Sequence, residues 1–425
     1  MMNFKTFILL ASLLISGTML LEGCLDAPVM PNGSISGKIY DNQGFPVIES
    51  LASAGDYPIA QTNLNGDFVL NDVKFPYDLV IGRYGGMESK YLGLMSKAPV
   101  AYDFSIFNIP KFFWVQLTFP PIQADKVVFM KFVSSDCFGQ EGVKEYFHTG
   151  EFRGGLVLTF PQSSDEISGY ILYLEATLDE SGENIISYDK FGTKNVTLHL
   201  KLDEEAVSFS DNDIKNIRLQ SRIGFNVLMP NNYENIETKY YINFPSMDGR
   251  SDIELGGTKD LSGSILVPVM DGVDYRIKVS NFYYEPPCNN RYSISGRKWE
   301  FVNPGENVTI VHNNPIELLA PVNGQHDISD TSSFTISDPG EKGVYVYTFS
   351  TRWLDVSLYT DRTSIKFRDI RSRLIGYGAN QLCYWSVQKY PGFNSIDEFV
   401  SVNYPYDKRY NSIPSSGVSE FTTAP

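Results

Sequence analysis

Polar and apolar side chains alternate with a period of two in stretch after stretch of this chain, and that rhythm limits the fold more than any other feature. Val196-Thr197-Leu198-His199-Leu200-Lys201-Leu202 keeps it strictly. Phe113, Val115, Leu117 and Phe119 alternate with Trp114, Gln116 and Thr118 before Pro120-Pro121 ends the run. Successive side chains of an extended strand point to opposite faces, so this pattern fits strands with one face on a core. Val127 to Val133 is instead apolar almost throughout, as expected of a strand covered on both sides. Aromatics make up 14% of the residues, and long Ala-Leu-Glu-Lys runs are lacking, so the predicted class is all-β, built as tandem β-sandwich domains. One interruption is expected: Phe367, Ile370 and Leu374 recur at helical spacing within 364–375 and predict a short turn of helix.

The N-terminus has a different character. Lys5 precedes an apolar run from Phe7 to Leu21, shorter than the roughly 20 residues that a helix needs to cross a bilayer and of the length of a signal peptide core. It closes on Leu21-Glu22-Gly23-Cys24, which resembles the lipobox of bacterial lipoproteins. Leu21, Gly23 and Cys24 match that pattern, while Glu22 departs from the small or uncharged residue preferred there. The resemblance implies a signal peptide over 1–23, lipid on Cys24, a short tether over 24–32, and a chain held at a membrane outside the cytoplasm. Two or three acyl chains anchor firmly where one holds weakly. The alternative reading is an ordinary secretory peptide with a cysteine nearby.

The remaining 400 or so residues exceed what one hydrophobic core organises, since domains cluster near 100–150 residues. Four blocks follow: 33–108, 109–205, 206–314 and 315–425. In the first, Gly37, Ile39, Asp41, Gly44 and Pro46 are followed by Thr62, Gly66, Phe68, Leu70 and Val73, with an Asn65-Gly66 turn. This order resembles the carboxypeptidase regulatory-like domain, a prealbumin-type β-sandwich, and implies a non-catalytic spacer module. The second and third blocks read as further sandwiches, separated by an acidic joint at Asp203-Glu204-Glu205 and Asp211-Asn212-Asp213. The last block opens on Pro321-Val322-Asn323-Gly324, passes through Tyr384-Trp385-Ser386-Val387 and closes on Phe421-Thr422-Thr423. It resembles an Ig-like or fibronectin type III module, whose ligands would meet loops at the ends of the sheets.

Few residues form patterns that carry chemistry. Beside Cys24, the cysteines Cys137, Cys288 and Cys383 fall in three different blocks and make no disulfide framework. Cys383 shares a strand face with Trp385 and Val387 and reads as core. His148, His199, His312 and His326 match no zinc spacing, no serine sits in a nucleophile elbow, and nothing points to a cofactor. A hydrolase built on a carboxylate pair within 109–314 stays open, because such residues can converge from anywhere in a fold. Three weaker groupings remain. Asp211-Asn212-Asp213 has oxygen ligands of the kind calcium takes, or forms a solvated turn. Arg352, Arg362, Lys366, Arg368, Arg371 and Arg373 form a basic island, suited to an acidic partner or simply solvated. Tyr404, Tyr406, Arg409 and Tyr410 make an aromatic and polar loop of the composition that binding loops use, or line a strand.

A net charge of −15 disfavours nucleic acid and anionic bilayer surfaces as partners. The function expected is therefore a non-catalytic, lipid-anchored envelope protein serving as a structural or recognition arm. Its partners would be the membrane through Cys24, and an envelope or extracellular polysaccharide or another envelope protein. The alternatives are a glycan-binding adhesive protein using the loops of the last block, and the hydrolase above.

Overall fold

The computed structural model describes residues 32–41, 46–55, 59–82, 87–103, 111–122, 126–134, 143–147, 153–160, 165–182, 184–199, 204–229, 236–243, 252–283, 293–312, 314–337, 340, 342–351, 355–370, 378–401, 412–414, 416 and 418–425. Over these residues the chain is all-β, as the alternation predicts, with strands arranged in seven sheets. Ile35 and Ile39 on strand Gly33–Asp41, and Phe113, Val115 and Leu117 on strand Lys111–Thr118, all point into cores. Val127 through Val133 is buried at every position, again as its composition requires. Phe367–Ile370 forms the short helix, with Phe367 and Ile370 buried, after the strand Ser364–Lys366, and Leu374 lies outside the described residues. At the Asn65-Gly66 turn, Gly66 alone takes a positive φ, of 74°, and a β-carbon there would press into the Ile39 carbonyl.

The blocks run in series along the sequence, but strand pairing crosses between the first and the last. Their strands make one nine-stranded sheet, ordered Gln325–Ile328, Ser419–Thr423, Leu382–Pro391, Gly343–Ser350, Asp355–Thr360, Met87–Leu94, Tyr77–Gly82, Leu51–Ala54, Ala60–Gln61. The seam is the parallel pairing of Asp355–Thr360 with Met87–Leu94, in which Tyr359 lies opposite Tyr91. Two three-stranded sheets cover it on opposite faces. Asp67–Val73, Gly33–Asp41 and Val100–Asp103 cover the N-terminal half, and Glu317–Ala320, Ser333–Ser337 and Ser364–Lys366 cover the C-terminal half. Strand Gly343–Ser350 is consequently buried on both sides: Val344 and Val346 join the first core, Tyr345, Tyr347 and Phe349 the second. Polar bonds reinforce the seam. Asp397, in the helix Ile396–Phe399, accepts from the backbone N–H groups of Met95 at 2.8 Å and Ser96 at 2.7 Å. The Lys90 ammonium donates to the Asp369 carbonyl at 2.6 Å.

The second and third blocks also share a core. A five-stranded sheet of the second block, ordered Val143–Phe147, Lys126–Val133, Glu166–Leu178, Ile185–His199, Ile214–Asn216, faces a three-stranded sheet with one side. Val128, Met130, Ile171 and Tyr173 fill that gap. Val127, Phe129, Leu172 and Leu174 point the other way and join the core of the third block, beside Ile253, Tyr275 and Ile277. Glu204–Ser208, read from sequence as part of an acidic joint, is instead a strand in parallel with Lys111–Thr118. In the third block, a sheet of Ser262–Pro268, Gln220–Leu228 and Asn307–Val311 faces one of five strands: Asp252–Thr258, Ile236–Asn243, Asp274–Tyr283, Ser293–Val302 and Ser412–Pro414. The last of these comes from the C-terminal block and pairs Ser412 with Lys298.

Candidate binding face

The residues singled out from sequence do not gather in one place. Cys24 and the loop residues Tyr404, Tyr406, Arg409 and Tyr410 lie outside the described residues, as do Cys137, Cys288, His148, Arg352, Arg371 and Arg373. Of the basic island, Lys366 donates to Ser333 Oγ at 2.6 Å, the Arg362 backbone N–H donates to the Thr360 hydroxyl at 3.3 Å and its carbonyl accepts from the Tyr347 hydroxyl at 3.1 Å, and Arg368, largely exposed, lies 3.9 Å from Asp369. Cys383 sits in the core with Trp385 and Val387, as their shared face predicts, and burial pushes its thiol up to about 12. His199 stands between Glu166 and Glu205 at 3.5 Å from each, and His312 is buried.

At the Asp211-Asn212-Asp213 turn, Asp213 is committed to holding the turn itself. It accepts from the Ser210 backbone N–H and hydroxyl, each at 2.8 Å, and from Lys194 at 3.1 Å. Those bonds, the Ser210 backbone first, lower its carboxyl from 3.8 to about 2. Because the folded value is the lower one, this contribution is present above about pH 4 and fades as pH falls toward 2. An NMR titration of the Asp213 carboxyl carbon should show a midpoint near 2, moving upward in Lys194→Ala; a midpoint near 4 in the native protein would contradict the bonding described.

Among the described residues of 109–314, Asp189 and Glu175 come close together, each paired with a lysine. Strand Ile185–His199 slips register against Glu166–Leu178 between Glu175 and Ala176, where Lys190 faces Glu175 and Tyr188 faces Ala176. Asp189 is the extra residue, and the bulge aims its side chain at Lys126 and Thr177, both at 2.6 Å, and Ser187 at 2.9 Å. Partial burial opposes the charge, but these bonds outweigh it and hold Asp189 below the usual carboxylate range. Glu175, buried, accepts from the Tyr173 hydroxyl at 2.5 Å and lies 3.4 Å from Lys190. A carboxylate held below its usual range, as Asp189 is, is poorly suited to pass protons near neutrality. This grouping therefore fits a structural network better than the acid and base of a hydrolase.

The grouping that stands out electrostatically lies on the third block, on the face of its five-stranded sheet turned away from that block's own core. Tyr275, Ile277 and Val279 point inward, so alternation turns Arg276 and Lys278 outward. Register sets Lys239 and Trp299 on either side of Lys278, and Tyr241 and Phe301 on either side of Arg276. Arg297, one step further, faces Ser280. Directly opposed residues share a face, so four cations from three strands meet on one surface. The Tyr241 ring lies 5.5 Å from the Arg276 guanidinium and 5.9 Å from the Lys278 ammonium, within the range of cation–π attraction. Trp299 receives Arg276 at 5.9 Å and packs into the core shared by the first and last blocks. Glu254 joins them, 3.2 Å from Lys239 and bonded by the Tyr241 hydroxyl at 3.2 Å. Burial first, then repulsion from Arg297, Arg276 and Lys239, pulls the Lys278 ammonium down to about 8, with Glu254 opposing. Alternation along 274–279 makes these residues legible as strand, but their gathering depends on register across three strands.

No protein-family model matches the chain, and no curated protein matches it. Among solved structures, it is 10% identical to the Bacillus anthracis TIE protein over 67% of this chain and 51% of that one, with a TM-score of 0.16. It thus spans about half the length of that protein. A fimbrial assembly protein from Parabacteroides distasonis is 10% identical over 43% of this chain and 84% of its own, with a TM-score of 0.17. The major pilin SpaD from Corynebacterium diphtheriae is 8% identical over 58% and 86%, with a TM-score of 0.15. The fold class rests on the strands of this chain itself.

Proposed function

We propose that this chain is a lipid-anchored arm of the cell envelope, exposed outside the cytoplasm, whose work is structural support or recognition and not catalysis. The observation that carries this reading is the strand pairing across blocks. Asp355–Thr360 adds in parallel to Met87–Leu94, and Ser412–Pro414 adds to the third block, so separate stretches of chain are knit into continuous sheets. Sheets pulled along their strands must shear a row of hydrogen bonds together, a property suited to an arm that bears load or holds a surface in a fixed position. The leader ending in Leu21-Glu22-Gly23-Cys24 supports membrane attachment, with lipid on Cys24. The resemblances of the first block to a carboxypeptidase regulatory-like domain and of the last to an Ig-like or fibronectin type III module fit the same role.

Expression of the chain and of Cys24→Ser in a bacterial host tests the anchor. The native chain should fractionate with membranes and carry added acyl mass, and the variant should do neither. A variant that stays with the membrane, together with a native chain of unmodified mass, would remove the anchoring claim.

An adhesive, glycan-binding role is the second reading, with Tyr404, Tyr406, Arg409 and Tyr410 as contacts. It is favoured by one observation: the stretch that holds them leads into Ser412–Pro414, which pairs at the edge of the sheet bearing the cationic face.

A further inference from the structure

We infer that the outer face of the second block's three-stranded sheet carries a binding site for a neutral, β-linked polysaccharide, with the Trp114 indole as the plate under one sugar ring and Glu204 and Gln116 meeting its hydroxyl groups. Phe113, Val115 and Leu117 enter the core, so alternation along Lys111–Thr118 turns Trp114 and Gln116 outward. Register sets Val157 and Glu204 on either side of Trp114, and Gly155 and Ala206 on either side of Gln116, so all of them share that face. Trp114 is 42% exposed and Val157 46%, which leaves a continuous apolar strip across two strands. The indole lies across Gly155, where a β-carbon would stand 2.5 Å from its Cε2 and Cζ2 atoms. Glycine at that position lets the ring settle against the backbone of the sheet, with its exposed area turned to solvent.

The groups around the plate select the ligand. A pyranose with equatorial hydroxyls presents a flat face of axial C–H groups, whose slightly positive hydrogens are drawn to the negative face of an indole. Linkage through equatorial β oxygens keeps that face clear from one sugar to the next. The hydroxyls then lie at the edge of the ring, where the Glu204 carboxylate accepts from them and the Gln116 amide both donates and accepts. Ala206, exposed on the same side, is too short to cover that edge. Charge excludes a polyanion, because Glu204 stands at the plate and the chain carries 50 Asp and Glu against 35 Lys and Arg. A lone ammonium group would satisfy the carboxylate but cover only part of the apolar area that Trp114 and Val157 expose together.

Strand stability does not ask for an indole here. Valine or threonine suits a strand as well, and an uncovered indole leaves apolar surface in water. A sugar stacked on the ring removes that surface from water at little cost in order, because Gly155 already holds the plate in place. The site stands apart from the lipid anchor and from the loop at 404–410, so its failure leaves both readings of function standing, and theirs leaves this site standing.

Saturation-transfer difference NMR of the full chain with cellohexaose and with laminarihexaose tests the site. At least one should bind, with the axial ring protons of one sugar face saturated more strongly than the exocyclic methylene protons. Trp114→Ala should weaken binding about tenfold or more at an unchanged melting temperature, since the side chain lies outside the core. Trp114→Tyr, which keeps a ring on the face, should retain part of the affinity. Glu204→Gln should bind within about threefold of the native chain, because the amide oxygen still accepts from hydroxyls, whereas Glu204→Ala should bind more weakly than either. Binding should be the same at low and high salt, since no charge on the ligand is neutralised. The inference is overturned if the native chain ignores both oligosaccharides, or if Trp114→Ala binds them equally well. It is also overturned if high salt or Glu204→Gln abolishes binding, or if polylysine or polygalacturonate displaces the sugar from the face, because each of these would mark the site as ionic.

Discussion

Replacing Tyr91 by alanine is expected to loosen both ends of the chain together and to cost about 3–5 kcal/mol, the range for truncating a large buried aromatic. Tyr91 is fully buried on Met87–Leu94, and its ring stacks on Tyr359 across the seam, with centroids 4.4 Å apart and planes 9° from parallel. Its hydroxyl donates to the Tyr102 carbonyl at 3.0 Å and accepts from the Tyr102 N–H at 2.8 Å. Tyr102 lies on Val100–Asp103, which runs parallel to Gly33–Asp41 in the covering sheet. One side chain thus ties the N-terminal half of the nine-stranded sheet to its C-terminal half and to the layer above. Tyr91→Phe keeps the stack and loses the two hydroxyl bonds, for about 1–3 kcal/mol. Urea unfolding with hydrogen exchange reads the difference. In Tyr91→Ala, exchange should quicken in both Tyr77–Gly82 and Gly343–Ser350. Faster exchange confined to Tyr77–Gly82 would mean that the end blocks fold independently and the seam is a passive contact.

Period two tells which side chains share a face, and wherever one face is solvated it was enough. Cys383, Trp385 and Val387 were legible as a core-facing row, and Phe367 with Ile370 as a helical turn, because both patterns are local. The seam was not legible for the opposite reason. Hairpins announce themselves through turn residues, whereas the pairing of Tyr91 with Tyr359 joins strands with more than half the chain between them and has no turn of its own. A trace of it existed in Val344-Tyr345-Val346-Tyr347, where no polar residue interrupts the apolar ones. Such a run belongs to a strand covered on both sides, though nothing in it says by what. Asp189 shows a second limit. Its approach to Lys126 follows from a bulge, and an inserted residue inverts the facing that strict alternation would assign.

The cationic face was hidden by the same kind of distance. Arg276 and Lys278 alternate visibly with Tyr275, Ile277 and Val279, so their outward direction could be read. Lys239 and Arg297 sit on other strands, and only the register brings their charges to the same place. The basic island that composition picked out at 352–373 is dense in sequence, yet its described members Arg362, Lys366 and Arg368 each bond or pair within a few residues or with the adjoining strands. Charge density along a chain and charge density on a surface are different quantities, and in a β protein only strand order converts one into the other.

Two neighbouring residues on Lys126–Val133 test the shared core of the middle blocks, because they face opposite ways. Phe129 pairs with Leu174, and both side chains enter the core that contains Ile253, Tyr275 and Ile277 of the third block. Met130 enters the second block's own core beside Val115 and Ile171. Phe129→Ala should cost about 3–5 kcal/mol and Met130→Ala about 2–5 kcal/mol, so total stability hardly separates them. Location does. Phe129→Ala should quicken hydrogen exchange in Asp274–Tyr283 of the third block, while Met130→Ala should act mainly on Lys111–Thr118, in the sheet that it faces. If Asp274–Tyr283 exchanges at the native rate in Phe129→Ala, the third block is complete without its neighbour and the common core adds nothing to it. If it quickens, the cationic face borne by that strand depends on packing against the second block. A substitution remote from every charge would then loosen the sheet that holds those charges in register.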